Sequence, residues 1–162
     1  MNEQALQAIV DTVVKQIKVP QEITLDIALL LAEKVKSKAE QMGVKAVVAV
    51  SNKAGHPVLA ECMDNSYIAS YDIAVQKAFT VVSLKMSTSA LKPLAQPGGS
   101  LYGIQFTNNG KIVIFGGGEP LINSSGEIIG GLGVSGGTEE QDSALAAYGK
   151  EIFEKGMYLQ WR

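Results

Sequence analysis

The 162-residue sequence predicts an α+β fold, in which an antiparallel sheet of about five strands is flanked by helices and preceded by an N-terminal amphipathic helix. Short β-branched segments occur in pairs around turn sequences, which is the pattern of β-hairpins. Segments with helical periodicity separate these pairs, and strand and helix do not alternate strictly. The sequence therefore favours antiparallel pairing over the parallel sheet of βαβ units.

The N-terminal segment has the spacing of a helix with one apolar side. Pro20 then interrupts the helical pattern, because proline lacks a backbone N–H and restricts the residue before it. We therefore divide the chain into a helix with a linker at 1–20 and a domain at 21–162. The apolar residues recur at three- and four-residue intervals and are Leu6, Ile9, Val10, Val13 and Ile17.

Further helices are predicted from periodicity and from capping residues. Thr24 is a suitable N-cap for a helix that ends at Met42, with Gly43 as its stop signal. The remaining helices are expected from Asn65 or Ser66 to about Lys85, from about Thr88 to Leu94, and from about Thr138 to Lys155.

Hairpins account for the expected strands. Asn-Gly and Ser-Gly pairs supply the residues that tight turns require, and apolar β-branched runs lie beside them. The runs are 45–51 and 56–62 around a turn at 52–55, 111–115 after a turn at 108–110, and two strands around a turn at 124–127; residues 101–106 are a candidate strand or an irregular segment.

The composition is that of one globular domain, with 46% hydrophobic and 19% charged residues. The formal net charge of -2 gives no general attraction to nucleic acid or to anionic lipid. No apolar run approaches the roughly 20 residues that a membrane span needs. The single cysteine, Cys62, excludes an intrachain disulfide and favours a reducing compartment. We therefore expect a cytoplasmic protein that binds neither nucleic acid nor membranes.

Glycines concentrate between Phe115 and Asp142, where a loop leads into the last helix. Helix N-termini carry backbone N–H groups without intrahelical partners, and these can hold a carboxylate or a phosphate. We therefore expect an anion-binding site here, although glycines at hairpin corners also serve structure alone. The expected anion contacts are Ser135, Gly136 and Gly137, together with Gly98 and Gly99.

Lys77 lies in an otherwise apolar helical stretch. A buried ammonium group is costly unless it meets an anion or carbonyl oxygens. We expect Lys77 to face the same pocket and to compensate the charge of the bound anion. A salt bridge to Asp142 or Glu119 is the alternative.

Common catalytic motifs are missing from the sequence. It contains no HExxH, no paired cysteines and no GxSxG, and the run Gly116-Gly117-Gly118 lacks the lysine and hydroxyl residue of a phosphate loop. The sequence therefore indicates a binding protein more than a catalyst, and any chemistry would come from a bound cofactor.

Several segments together resemble the haem-binding family that includes the GlcG and HbpS proteins and the C-terminal domain of PduO-type corrinoid adenosyltransferases. These segments are GGGEPL, GEIIGGLGVSGG and EQD, preceded in order by AGHPVL, MDN and QKAFT, and the resemblance runs from about Thr24 to Gly149. It implies a profilin-like α/β sandwich, oligomers built from dimers, and for some members the binding or slow degradation of haem. For a haem ligand, the expected role of Gly98, Gly99, Ser135, Gly136 and Gly137 is contact with an anion or with a propionate.

His56 is the only imidazole of the chain and is therefore the candidate axial ligand of a haem iron. A bis-histidine site would need two subunits. A histidine in a predicted turn is also often a solvated polar residue, and that alternative stays open.

The resemblance leads to a haem- or tetrapyrrole-binding accessory protein that serves cofactor or redox maintenance. Two alternatives come from other classes: a non-haem module that binds a small metabolite or supports assembly, and an enzyme that degrades haem or acts on corrinoids.

The first 18 residues are similar to the encapsulation peptides that direct cargo into bacterial microcompartments. Their apolar stripe, from Leu6 to Ile17, suits a helix that lies in a groove of a shell protein or another cargo protein. The expected location is then the lumen of a microcompartment. An extra helix packed on its own domain or across a dimer is the alternative.

Overall fold

The structure, a computed structural model, describes residues 3–6 and 20–156. Residues 3–6 are helical, and the rest of the expected N-terminal helix, with Ile9, Val10, Val13 and Ile17, lies outside the described residues. The elements of the domain are α1 (Leu25–Gln41), β1 (Val47–Asn52), β2 (Pro57–Cys62), α2 (Ile68–Leu84), α3 (Thr88–Leu94), β3 (Gly118–Ile122), β4 (Ile128–Ser135) and α4 (Glu139–Glu154).

The predicted ends of α1 and α4 agree with the structure. Thr24 is the N-cap of α1 and accepts a hydrogen bond from the Ile27 amide at 3.3 Å. Thr138 caps α4 in a capping box with Gln141. Helix α2 begins at Ile68, later than expected, because Asn65 has a left-handed φ of 66° that no helix accommodates.

The strands form one antiparallel sheet in the order β2-β1-β4-β3. Both predicted hairpins, β1–β2 and β3–β4, are present. The sequence predicted one more strand, at 111–115, and this prediction was wrong. The Val113 amide donates to the Thr80 hydroxyl at 3.0 Å instead of to a neighbouring strand. Residues 101–106 are irregular, with a short 3-10 turn at Ile104–Phe106.

The sheet lies between two helical layers. Alternate residues of β1 face opposite sides, so Val48 packs in the core beneath α1 and α4 while Val47 and Ala49 pack against α2. Helix α2 approaches β4 closely because Gly133 has no side chain, and a Cβ there would overlap the backbone carbonyl oxygen of Ala74. Within the described residues, no helix has both the length and the apolar character needed to cross a bilayer.

Lys77 joins these layers through a buried ion pair. Its Nζ is fully buried, donates to the Val134 carbonyl at 2.8 Å and to Asp142 Oδ2 at 3.1 Å, and lies 4.9 Å from the centre of the Phe115 ring. Burial lowers the pKa of Lys77 and raises the pKa of Asp142, because each charged group loses water, while the attraction between the two charges opposes both shifts. The pair therefore links α2, β4 and α4.

We predict that Asp142→Asn destabilises the protein by about 3–5 kcal/mol at neutral pH, because Lys77 keeps its buried charge and loses its counter-ion. The deficit should shrink at alkaline pH. Without the carboxylate, the pKa of Lys77 in the folded state falls further below its unfolded value, so stability rises with pH between those two values. Urea unfolding at several pH values measures both effects.

The matched control for this prediction is Glu61→Gln, which removes the carboxylate of the surface pair between Lys36 Nζ and Glu61 at 2.9 Å. Both side chains of that pair are partly exposed, so we expect a loss below about 1 kcal/mol. An equal loss in the two variants would contradict the proposed importance of the buried pair.

Candidate functional site

The end of β4 and the start of α4 form one wall of a groove of about 270 Å³, which we call the Phe115 groove. The beginning of α2 forms the opposite wall. The groove is lined by Tyr67, Ala69, Ser70, Ile73, Phe115, Ser135, Gly136, Gly137, Glu139 and Asp142. Three of the expected anion contacts, Ser135 to Gly137, therefore lie together in this groove.

The polar groups of the Phe115 groove mostly bind one another. The Gly137 amide donates to Asp142 Oδ1 at 2.9 Å, and the Gly136 amide also donates to this carboxylate. The Ser135 hydroxyl donates to the Ser70 hydroxyl at 3.1 Å, and both serines are buried. The amides expected to bind an external anion thus hold the carboxylate of Asp142.

A second carboxylate of the groove is neutralised in the same way. Glu139 pairs with Lys92 at 2.5 Å and accepts a hydrogen bond from the Gly116 amide at 2.9 Å. The contact with Lys92, followed by that with Gly116, lowers the pKa of Glu139. Each negative charge in this groove is therefore matched by a cation and by a backbone amide.

Lys77 lies behind the Phe115 groove instead of lining it. Of the two salt bridges that the sequence offered as alternatives, the one to Asp142 forms, while Glu119 pairs with Lys150 at 3.2 Å. Within the protein, Lys77 therefore compensates the charge of Asp142.

Gly98 and Gly99 lie in the turn after α3, and neither lines the Phe115 groove. The Gly99 amide donates to the Gln96 carbonyl at 2.8 Å, and a Cβ at Gly99 would overlap the carbonyl oxygen of Leu94. The backbone of Leu94 therefore passes close to Gly99. Neither glycine lies with Ser135 in the Phe115 groove.

His56 lines a different groove, of about 280 Å³, between the β1–β2 turn and α2; we call it the His56 groove. Its residues are Ala54, Gly55, His56, Pro57, Asp72, Val75, Gln76, Phe79 and Lys111. Gly55 permits this closure, because it has a φ of 76° and a Cβ there would lie 2.8 Å from the Phe79 ring. The two grooves share no residue.

The charges of the His56 groove differ from those of the Phe115 groove. Lys111 Nζ lies 5.6 Å from the centre of the Phe79 ring. Within residues 3–6 and 20–156, neither Lys111 nor Asp72 forms an ion pair, and His56 is exposed. This groove therefore combines an apolar floor with three polar groups, the ammonium group of Lys111, the carboxylate of Asp72 and the imidazole of His56, none of which forms an ion pair within the described residues.

Sequence reasoning missed Asp72, Phe79 and Lys111 as members of a site. The helical spacing of Asp72, Val75 and Phe79 on α2 could have indicated a common face. Lys111 is distant in sequence, and no local pattern indicates that it lies beside Phe79.

A third groove, of about 330 Å³, is lined by polar residues of α1 and the end of β2. Lys36 lies there between Glu33 and Glu61, and chiefly the hydrogen bond with Glu61 raises the pKa of Lys36. Cys62 is exposed at its rim. The described part of the chain has no cluster of three or more His, Cys, Asp or Glu residues suited to a metal ion.

The chain matches the model of a protein family described as haem degrading protein HbpS-like over residues 23–151. A 15.0 kDa protein of Citrobacter freundii, from the dhaT-dhaS intergenic region, is 43% identical over 82% of this chain and 93% of its own length. The corrinoid adenosyltransferase PduO of Salmonella typhimurium is 39% identical over 67% of this chain, but only 32% of PduO is covered.

Solved structures show the same fold. The Klebsiella pneumoniae protein ORFY has a TM-score of 0.78 and 43% identity, and the match covers 81% of this chain and 90% of that one. The PduOC:heme complex has a TM-score of 0.73 and 36% identity over 75% of this chain and 88% of that one. The predicted fold class is thus confirmed, and the protein belongs to the HbpS-like family.

Proposed function

We propose that this protein binds haem, with the tetrapyrrole in the His56 groove. The observation that carries the proposal is the position of the only imidazole of the chain, which is exposed beside an apolar groove. The groove also contains Lys111, which forms no ion pair with the described part of the chain. The membership of the HbpS-like family and the 36% identity to the protein of the PduOC:heme complex support it.

The donor set of the groove fits a haem. Imidazole nitrogen is a common axial ligand of haem iron, and His56 would supply it. The ring of Phe79 and the side chain of Val75 offer an apolar surface to the macrocycle. Lys111 would pair with a propionate, because no carboxylate of the described residues occupies it.

The Phe115 groove fits propionates less well. Its glycine amides already hold Asp142, and the carboxylates of Asp142 and Glu139 line it. A haem in the open His56 groove would stay partly exposed, and a second subunit would bring its own His56 to the same haem. Oligomers built from dimers are therefore part of the proposal.

Haem would supply the redox chemistry, while this chain binds and orients it. The family description names haem degradation, and reductant-dependent bleaching of the formed complex would favour that activity in this protein. A small-metabolite or assembly role remains the competing function.

We also propose that the N-terminal segment directs the protein to the lumen of a bacterial microcompartment. Its apolar stripe would dock on shell or cargo proteins through Leu6 and the residues beyond it. Leu6 supports this because it is 51% exposed in the structure and so remains available to a partner.

We predict that hemin titration gives a Soret shift that saturates at a fixed ratio of haem to subunit. His56→Ala should change the band position and raise Kd about tenfold or more, since it removes an iron ligand. Lys111→Gln should raise Kd by about fivefold at most without moving the band, because it removes only an exposed ion pair.

Lys53→Ala is the matched control for the titration, since Lys53 is an exposed hairpin residue that does not line the groove. Its titration should equal that of the wild type. An unchanged spectrum in His56→Ala would remove His56 as ligand, and the absence of any saturable shift would favour the metabolite or assembly role.

To test the proposed targeting, residues 1–20 are fused to a fluorescent protein. We predict that this fusion forms puncta in cells that assemble microcompartment shells. Val13→Asp should make the fluorescence diffuse, because it places a charge on the apolar stripe. Gln7→Ala, on the polar side, serves as the control. Diffuse fluorescence of the unmodified fusion would rule out targeting by residues 1–20.

A further inference from the structure

Two buried serines meet in the Phe115 groove. Ser70, in the first turn of α2, is 3% exposed, and Ser135, the last residue of β4, is 5% exposed. The Ser135 hydroxyl donates to the Ser70 hydroxyl at 3.1 Å. Each hydroxyl has one proton to donate, and this bond uses only the proton of Ser135. Among the described residues, the Ser70 hydroxyl has no acceptor for its own proton.

A buried hydroxyl with an unused proton indicates an acceptor from outside the chain. Leaving a buried donor without a partner costs free energy, and nearly all buried polar groups are paired. A serine in a helix often donates to the carbonyl one turn earlier, as Ser83 of α2 does to Phe79 at 2.8 Å. Ser70 does not make this bond and lines the groove instead. Its proton is therefore available to a molecule bound there.

The Phe115 groove also offers an apolar surface beside the two serines. Ala69 and Ile73 of α2 line it, together with the rings of Tyr67 and Phe115. Phe115 contacts the buried Nζ of Lys77 and is still 38% exposed, so part of its surface is open to a ligand. Ligand sites combine such apolar walls with a few polar groups that fix the orientation of the ligand.

The charges of the Phe115 groove select an uncharged ligand. Its lining residues, all within the described part of the chain, include the carboxylates of Asp142 and Glu139 but no lysine, arginine or histidine. An anion would lie beside these carboxylates without a cation of its own, and a cation would find both of them already paired with lysines. A neutral molecule meets neither obstacle.

The size of the groove and its free donor narrow the class further. Liquid water occupies about 30 Å³ per molecule, so a volume of about 270 Å³ holds on the order of ten non-hydrogen atoms. The carboxylates of the groove already accept hydrogen bonds, whereas the Ser70 proton needs an acceptor. A carbonyl oxygen accepts without having to donate, and it therefore fits this donor.

We propose that the Phe115 groove binds a small uncharged carbonyl compound, whose oxygen accepts the hydrogen bond of Ser70 and whose apolar body lies against Phe115 and Ile73. The site shares no residue with the His56 groove. The proposal therefore does not depend on haem and is tested in haem-free protein.

The test is a titration of the haem-free full chain, followed by the amide signals in NMR spectra, with acetophenone as the uncharged probe and benzoate as an anion of similar shape. Acetophenone should cause saturable shifts of the residues that line the groove. Benzoate should bind about tenfold more weakly or worse, because it meets the two carboxylates. Ser70→Ala should raise the Kd of acetophenone about fivefold, because it removes the donor.

Ser83→Ala is the matched control, since it makes the same substitution on the same helix at an exposed hydroxyl outside the groove. It should bind acetophenone like the wild type. The double variant Ser70→Ala, Ser135→Ala removes both partners of the hydrogen bond, so it leaves no unpaired hydroxyl and should fold, as circular dichroism would show, while it binds acetophenone as weakly as Ser70→Ala.

Three results would overturn the proposal. The first is the absence of saturable shifts in the Phe115 groove with acetophenone. The second is benzoate that binds as tightly as acetophenone. The third is an unchanged Kd for acetophenone in the folded Ser70→Ala and double variants.

Discussion

The buried pair of Lys77 and Asp142 is the constraint on which the arrangement of both layers depends. An ammonium group without access to water requires acceptors on every side, and here α2 supplies the cation, β4 the carbonyl of Val134 and α4 the carboxylate. The carboxylate in turn requires donors, and the amides of Gly136 and Gly137 provide them. The turn from β4 into α4 is therefore fixed by the hydrogen bonds that the carboxylate of the buried pair requires, and the amides of its glycines donate them.

Helix α2 positions both candidate grooves. It approaches the sheet closely where Gly131 and Gly133 leave room for its backbone. Its beginning then contributes Ser70 and Ile73 to the Phe115 groove, and a different set of its residues, including Val75 and Phe79, faces the β1–β2 turn. Residues of one helix therefore border both grooves.

Local signals were sufficient for much of the fold. The cap at Thr24, the start of α4 near Thr138 and the two hairpin turns depend on neighbouring residues, so the sequence predicted them. The start of α2 was predicted too early, because the sequence does not show that Asn65 adopts a left-handed conformation. The strand at 111–115 was wrong because the Thr80 hydroxyl, from a distant helix, takes the place of a strand partner. No local pattern indicated that Lys111 lies beside Phe79, because these two residues meet only through tertiary packing.

The ion pairs of this protein separate the polar groups that stabilise the fold from those that the fold leaves without a charged partner. Where a carboxylate lies in the Phe115 groove, a lysine and an amide already hold it, so a ligand there would have to compete with contacts that stabilise the fold. In the His56 groove, neither the imidazole nor Lys111 forms an ion pair within the described residues, and Lys111 Nζ lies over the Phe79 ring. A polar group that the protein itself does not bind can interact with a ligand without first breaking an internal contact. Ligand sites combine a few such groups with an apolar surface. Glycine-rich sequence alone therefore draws attention to the Phe115 groove, whereas the balance of charges supports the proposal that the ligand binds in the His56 groove.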